Sequence, residues 1–144
     1  MKMKIKKMRD GAVLPKYQTN GAAGFDFHAC IGEPLVMKPG STATIPTGVG
    51  VEIPEGYELQ VRPRSGLAYK HDVVMFNSIG TIDSDFRGEM LMKLANYGEK
   101  DFVVEPEMRI AQGIVAKVER VEWLEVEELS ETDRSGGFGS TGLK

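Results

Sequence analysis

Residues 80–88 read Gly-Thr-Ile-Asp-Ser-Asp-Phe-Arg-Gly, so two carboxylates, an aromatic ring and a guanidinium fall within one short stretch. The glycines at its ends give it the look of a tight β-hairpin, in which a buried acid can be aimed at a bound ligand. Asp83 or Asp85 could direct a water, Phe86 offers a flat apolar surface and Arg87 a fixed positive charge. The chemistry this set supports is hydrolysis of an aromatic, charged substrate. Asp and Gly also mark ordinary turns, so the stretch gains meaning only from what accompanies it.

Three further groupings carry donors for an anion. Arg62-Pro63-Arg64-Ser65-Gly66 sets a guanidinium, a hydroxyl and backbone N–H groups at the start of a short helix, where unpaired donors favour a phosphate. The same residues also fit a surface turn with Ser65 as a capping residue. The tail Arg134-Ser135-Gly136-Gly137-Phe138-Gly139-Ser140-Thr141-Gly142 reads either as a ligand-closing arm, with Phe138 as its apolar lid, or as a loose C-terminus. Arg109-Ile110-Ala111-Gln112 adds a charge and an amide; Arg109 suits a structural ion pair as well as a ligand contact, and Gln112 is the stronger functional candidate.

Other chemistries lose support. His28 and His71 stand in no spacing with Cys or acids that fits a zinc site. The chain has no phosphate-binding Gly-x-x-x-x-Gly-Lys-Ser/Thr loop, no Gly-x-Ser-x-Gly elbow and no dinucleotide fingerprint set between a strand and a helix.

The elements that must position these residues are mostly strands. Short segments alternate with period two between Gly and Pro turns. Val49, Val51 and Ile53 share one face; beyond Pro54-Glu55-Gly56, Tyr57, Leu59 and Val61 share another, as in a hairpin. Further strands are expected at Met3–Met8, Phe25–Cys30, Val73–Phe76, Met90–Ala95, Phe102–Val104, Ile114–Val118 and Trp123–Glu127. One short helix is predicted over Ser65–Lys70, with Ser65 as its N-cap. This is an all-β pattern of the sandwich, jelly-roll or barrel kind. Residues 1–129 form the expected single domain, and residues 130–144 a Gly- and Ser-rich flexible arm.

Length and composition set the outer limits. A chain of 144 residues suits one domain, which at this size buries roughly 70% of the surface its unfolded form exposes. A net charge of −3 gives no broad basic face for nucleic acid. Any polyanion must be gripped by a few placed donors. Cys30 is the single cysteine and is expected to pack in the core; no internal disulfide is possible. The basic N-terminus lacks the apolar stretch of a signal peptide, and no run approaches a membrane span. These features predict a cytoplasmic protein with no membrane partner.

Five segments in order resemble the five motifs of the trimeric deoxyuridine triphosphate nucleotidohydrolases, the dUTPases. They are Ala22-Ala23-Gly24-Phe25-Asp26-Phe27, then Pro63 through Ala68, Asn77 through Glu89, Arg109 through Gln112, and Arg134 through Gly142. The resemblance implies a jelly-roll-like β-barrel that trimerises, with active sites shared between subunits and closed by a neighbour's arm. It implies cleavage of dUTP to dUMP and pyrophosphate, which limits uracil in DNA and supplies dUMP for thymidylate synthesis. It also implies Mg²⁺ held by substrate phosphates and waters, with no protein cage. By position, Asp83 matches the general base that orients a water toward the α-phosphorus. Arg64, Ser65 and Gly66 match the grip on the α and β phosphates, and Gln112 a phosphate or water contact. Arg134, Gly139, Ser140 and Thr141 match the arm at the terminal phosphate, with Phe138 stacked on uracil. Asn77 and the stretch containing Thr81, Ile82 and Leu91 match the part that reads the uracil edge. Asp26 matches an acid that orients Arg or solvent near the phosphates, or else a structural ion pair.

Two positions depart from the family pattern. Phe86 stands where the family usually has Tyr beneath the deoxyribose, which keeps the flat surface and removes a hydroxyl. Pro106-Glu107-Met108 replaces the usual Pro-Gly-acid turn, so that turn lacks a glycine for positive φ. A dCTP deaminase of the same superfamily and a non-catalytic regulatory module are the alternative readings. Ammonia release from dCTP would mark the first, and dUTP-dependent capture of a protein partner the second.

Overall fold

Alternation of apolar and polar residues over three to nine positions produces strands wherever one face can be buried. The computed structural model describes residues 1–133 and 136–137. Its strands are β1 (Lys4–Lys7), β2 (Lys16–Tyr17), β3 (Phe25–His28), β4 (Leu35–Met37), β5 (Thr42–Pro46), β6 (Val49–Glu52) and β7 (Tyr57–Arg62). The helix α1 (Ser65–His71) follows, then β8 (Val73–Met75), β9 (Gly80–Ile82), β10 (Leu91–Asn96), β11 (Phe102–Val104) and β12 (Arg109–Lys117).

Four antiparallel sheets result: β2-β3-β12-β7-β9, β5-β10-β8, β1-β6 and β11-β4. The fold is all-β with one short helix, as expected, and no described sheet closes on itself into a barrel. Phe27, Met37, Ile45, Leu59, Met92, Leu94 and Ile110 fill the space between sheets. No helix among the described residues is long and apolar enough to cross a membrane.

Several expectations are corrected. The two strands flanking Pro54-Glu55-Gly56 form no hairpin: β6 pairs with β1, while β7 pairs with β12 and β9. Val49, Gly50 and Val51 are all buried, so β6 is covered on both faces. Residues 80–88 form no closed hairpin either. Strand β9 pairs with β7, and beyond the turn the chain enters β10 in another sheet. The capping position of α1 is Arg64, with extended backbone and no side-chain cap, and Ser65 is the first helical residue. Trp123–Glu127 is not a strand; this stretch has no regular structure, and Trp123 is 89% exposed. Its alternation finds no strand partner among the described residues. Conversely, β2, β4 and β5 form where the pattern predicts no strand.

Candidate active site

The middle strands of the five-stranded sheet gather two of the three anion-binding groupings, Arg62–Gly66 and Arg109–Gln112, together with Asp26. Gln112 on β12 sits opposite Asp26 on β3 and opposite Arg62 on β7. Directly opposed residues point to the same face, so these three share one side of the sheet. Arg109, three residues before Gln112, would by simple alternation point to the other side. A bulge between Arg109 and Ala111 shifts the register and sets Arg109 opposite His28. That shift turns the Arg109 guanidinium toward Asp26 and sends both Ile110 and Ala111 into the core.

Asp26 then serves two cations. Its Oδ1 accepts from Arg64 Nε at 3.0 Å and its Oδ2 from Arg109 Nη1 at 3.1 Å. Arg64 Nη1 also donates to the Arg109 carbonyl at 3.1 Å, which ties the end of β7 to the start of β12. The Asp26 side chain is 11% exposed, against 24% for Arg64 and 43% for Arg109. One inward carboxylate under two outward guanidiniums leaves a positive face, suited to phosphate. Gln112 Nε2 donates to the Pro63 carbonyl at 2.9 Å, fixing which way the amide points. Gly24 makes room for this: a Cβ there would lie 2.8 Å from Gln112 Oε1. Ser65 and Gly66 follow on the exposed first turn of α1.

The same face carries groups that lie outside the five motif segments. Arg62 donates to Gln60, which donates to Glu58 at 2.7 Å, forming a polar row along β7. Arg62 Nε and His28 Nδ1 are buried without a hydrogen-bond partner among the described residues. Burial pushes the His28 imidazole below its ordinary value, with the nearby Asp26 carboxylate opposing that shift. The alternation of β7 was legible in sequence and could have placed Gln60 and Arg62 on one face; the bulge at Arg109 left no such signal.

The third motif lies along the outer edge of β7, where Gly80 is opposite Val61, Thr81 opposite Gln60 and Ile82 opposite Leu59. Asp83 is exposed, contrary to the buried acid expected from sequence, and it opens a turn in which Phe86 N–H donates to the Asp83 carbonyl at 3.2 Å. Phe86 is 41% exposed and Leu91, at the start of β10, 53%. Asn77 is exposed in the turn before β9. Because β9 runs antiparallel to β7, Asp83 falls level with Glu58, about 13 Å along the strand from Arg62 at ~3.3 Å per residue. One chain therefore joins Asp26, Arg64, Arg109 and Gln112 and leaves Asp83 and Phe86 apart from them. Arg134, Phe138, Gly139, Ser140 and Thr141 lie outside the described residues.

The dUTPase family model matches residues 10–142. The chain is similar to the deoxyuridine 5'-triphosphate nucleotidohydrolase of Orientia tsutsugamushi (strain Boryong), at 51% identity over 100% of both chains. It is also similar to the solved dUTPase of Staphylococcus bacteriophage 80alpha with dUPNHPP, at 27% identity and a TM-score of 0.90 over 99% of each chain. The dUTPase of phage phi11 of S. aureus, described with a structural Mg(II) ion, shares the fold at 22% identity and a TM-score of 0.80, over 89% of this chain and 98% of that one.

Proposed function

Since this chain belongs to the dUTPase family, we infer how its own residues accomplish the hydrolysis of dUTP to dUMP and pyrophosphate. It is a dUTP diphosphatase. The observation that carries the division of roles is the Asp26 carboxylate holding Arg64 and Arg109 side by side above it. This cluster, with Ser65, Gly66 and Gln112, binds the α and β phosphates. Asp83 orients a water in line with the α-phosphorus and takes its proton as the new P–O bond forms and pyrophosphate leaves. General-base assistance of this kind is typically worth about 10²–10⁴ in rate. Charge stabilisation by the guanidiniums supplies a further part.

Asn77, Thr81, Ile82 and Leu91 read the uracil edge, and Phe86 lies beneath the deoxyribose. A slot built for uracil leaves buried groups unpaired when cytosine enters, at about 1–3 kcal/mol each. Residues 130–144 form the arm: Arg134, Gly139, Ser140 and Thr141 reach the terminal phosphate and Phe138 covers the base. The family match extending to residue 142 supports this reading.

A divalent metal fits the donor set. Mg²⁺ keeps several waters and takes phosphate oxygens in preference to an all-protein cage. Among the described residues no three His, Cys, Asp or Glu side chains cluster to form such a cage. Triphosphate oxygens and water would hold the ion, which when bound neutralises charge developing on the phosphates.

The active unit is a homotrimer with shared sites, in the cytoplasm. Two features support sharing. Asp83 and the Arg64 cluster sit apart on one chain, and Val121, Trp123, Leu124, Val126 and Leu129 are all exposed, as a segment laid on a neighbour would be. The decisive experiment measures pyrophosphate release from dUTP, dTTP, dCTP and UTP, with and without Mg²⁺. Metal-dependent release from dUTP well above the other three is the expected result; equal release from all four would overturn the substrate assignment.

A further inference from the structure

The turn that carries Asp83 and Phe86 is fastened to the rest of the fold at its two ends, through β9 and through Glu89. Within residues 83–88 the hydrogen bonds are internal: Phe86 N–H to the Asp83 carbonyl, and Arg87 Nη1 to the Ser84 and Phe86 carbonyls at 2.6 and 2.9 Å. The Phe86 ring lies directly on Gly88, where a Cβ would come within 2.6 Å of Phe86 Cζ. The next residue, Glu89, carries a side-chain hydrogen bond to another part of the fold. Its Oε1 accepts from Arg9 Nε at 2.7 Å and from the Gly48 N–H at 2.9 Å.

This contact is set among bonds to main-chain carbonyls. Met8 N–H donates to the Gly48 carbonyl at 2.7 Å, Met90 N–H to the Val49 carbonyl at 2.9 Å, and Thr47 Oγ1 to the Met90 carbonyl at 2.7 Å. The Glu89 side chain is 16% exposed. The Arg9 hydrogen bond holds its carboxyl below the usual carboxylate range, with burial opposing and Gly48 assisting. The hydrogen bonds of Arg9 and Glu89 are separate from those that join Asp26, Arg64 and Arg109.

We propose that Glu89, supported by Arg9, is a positioning residue for the reaction: it pins the end of the turn so that Phe86 stays seated on Gly88 and Asp83 keeps its aim. This rests on the roles assigned to Asp83 and Phe86 in the proposed function. Loss of the Glu89 carboxylate frees Gly88 to swing, which moves the Phe86 ring relative to the sugar and Asp83 relative to the phosphorus. Both catalysis and the preference for the deoxy sugar therefore depend on a residue that contacts no substrate.

The test uses the full-length protein and the variants Glu89→Ala, Glu89→Gln and Arg9→Ala. It measures kcat and KM on dUTP and UTP, together with amide hydrogen exchange over residues 83–88. Glu89→Ala should lower kcat on dUTP by about 10–100-fold, as a small misplacement of reacting groups does. It should also narrow the dUTP-to-UTP ratio of kcat/KM and speed exchange in the turn while leaving β7 and β12 protected. Glu89→Gln still offers Oε1 to Gly48 and should recover most of the loss, with Arg9→Ala between the two. A folded Glu89→Ala whose kcat and selectivity stay within about twofold of the parent overturns the proposal, as does a folded Glu89→Gln that is equally impaired. If Glu89→Ala fails to fold, Arg9→Ala decides, and parental values of both kcat and selectivity in that variant overturn the proposal. A parent protein inactive on dUTP sinks the functional reading instead, and the exchange comparison still reports on the clamp.

Discussion

Asp26 and Asp83 are the same side chain in opposite surroundings, and burial separates their tasks. Asp26 is held inside, with each carboxylate oxygen taken by a guanidinium, so it organises cations. Asp83 is exposed at the head of a turn and is free to meet a water. Replacing Asp83 by Asn keeps the shape and removes the base; pyrophosphate release should fall by about 10²–10⁴-fold, while calorimetry still shows binding of a non-hydrolysable dUTP analogue. Near-parental turnover in that variant would rule out the assignment. Glu107 is a third acidic residue with a different story. It adopts φ 60°, the left-handed region that favours glycine, and its N–H donates to the Ala29 carbonyl at 2.9 Å. The turn keeps its geometry at the expense of strain. Glu107→Gly should relieve about 0.5–1 kcal/mol of it, after the extra freedom glycine gives the unfolded chain. The readout is a higher urea midpoint at unchanged slope.

At the scale of elements, placement depends on irregularities and on buried polar anchors. The bulge in β12 changes which face Arg109 occupies, and without it Asp26 would hold one guanidinium only. Asn96, at the end of β10, is 0% exposed and fully satisfied. Its Nδ2 donates to the Met37 and Lys100 carbonyls at 2.8 and 2.9 Å, and its Oδ1 accepts from Gly98 N–H at 3.0 Å. One amide thus fastens β4, β10 and the turn before β11. Asn96→Ala strands the buried Met37 carbonyl and leaves two partly buried main-chain groups without their partner, and stability should drop by about 3 kcal/mol. Denaturant unfolding measures this, and a change below about 1 kcal/mol would mean that water replaces the amide.

At the scale of the whole molecule, the proposed sharing of sites between chains makes a distinctive prediction. The Asp26–Arg64–Arg109 cluster and Asp83 lie toward different ends of β7, and the stretch from Val118 onward exposes one large apolar side chain after another. Mixing tests this directly. Chains carrying Arg64→Ala and chains carrying Asp83→Asn should each be inactive alone. Unfolded and refolded together they should regain activity, because some sites then receive an intact Arg64 from one chain and an intact Asp83 from another. No recovery in mixed species that co-elute at three times 15.8 kDa would place each site within one chain.

The sequence by itself determined the all-β class, the helix near Ser65, and the ordered motifs that point to the family. These are properties of local period and of residue type, which need no partner to be read. Tertiary structure alone decided that β6 and β7 part company, that the bulge turns Arg109 toward Asp26, that Asp83 lies exposed, and that Glu89 reaches back to Arg9. Most of these join residues tens of positions apart. Pairing choices of that kind depend on which faces can be buried together, and a linear pattern carries no record of them.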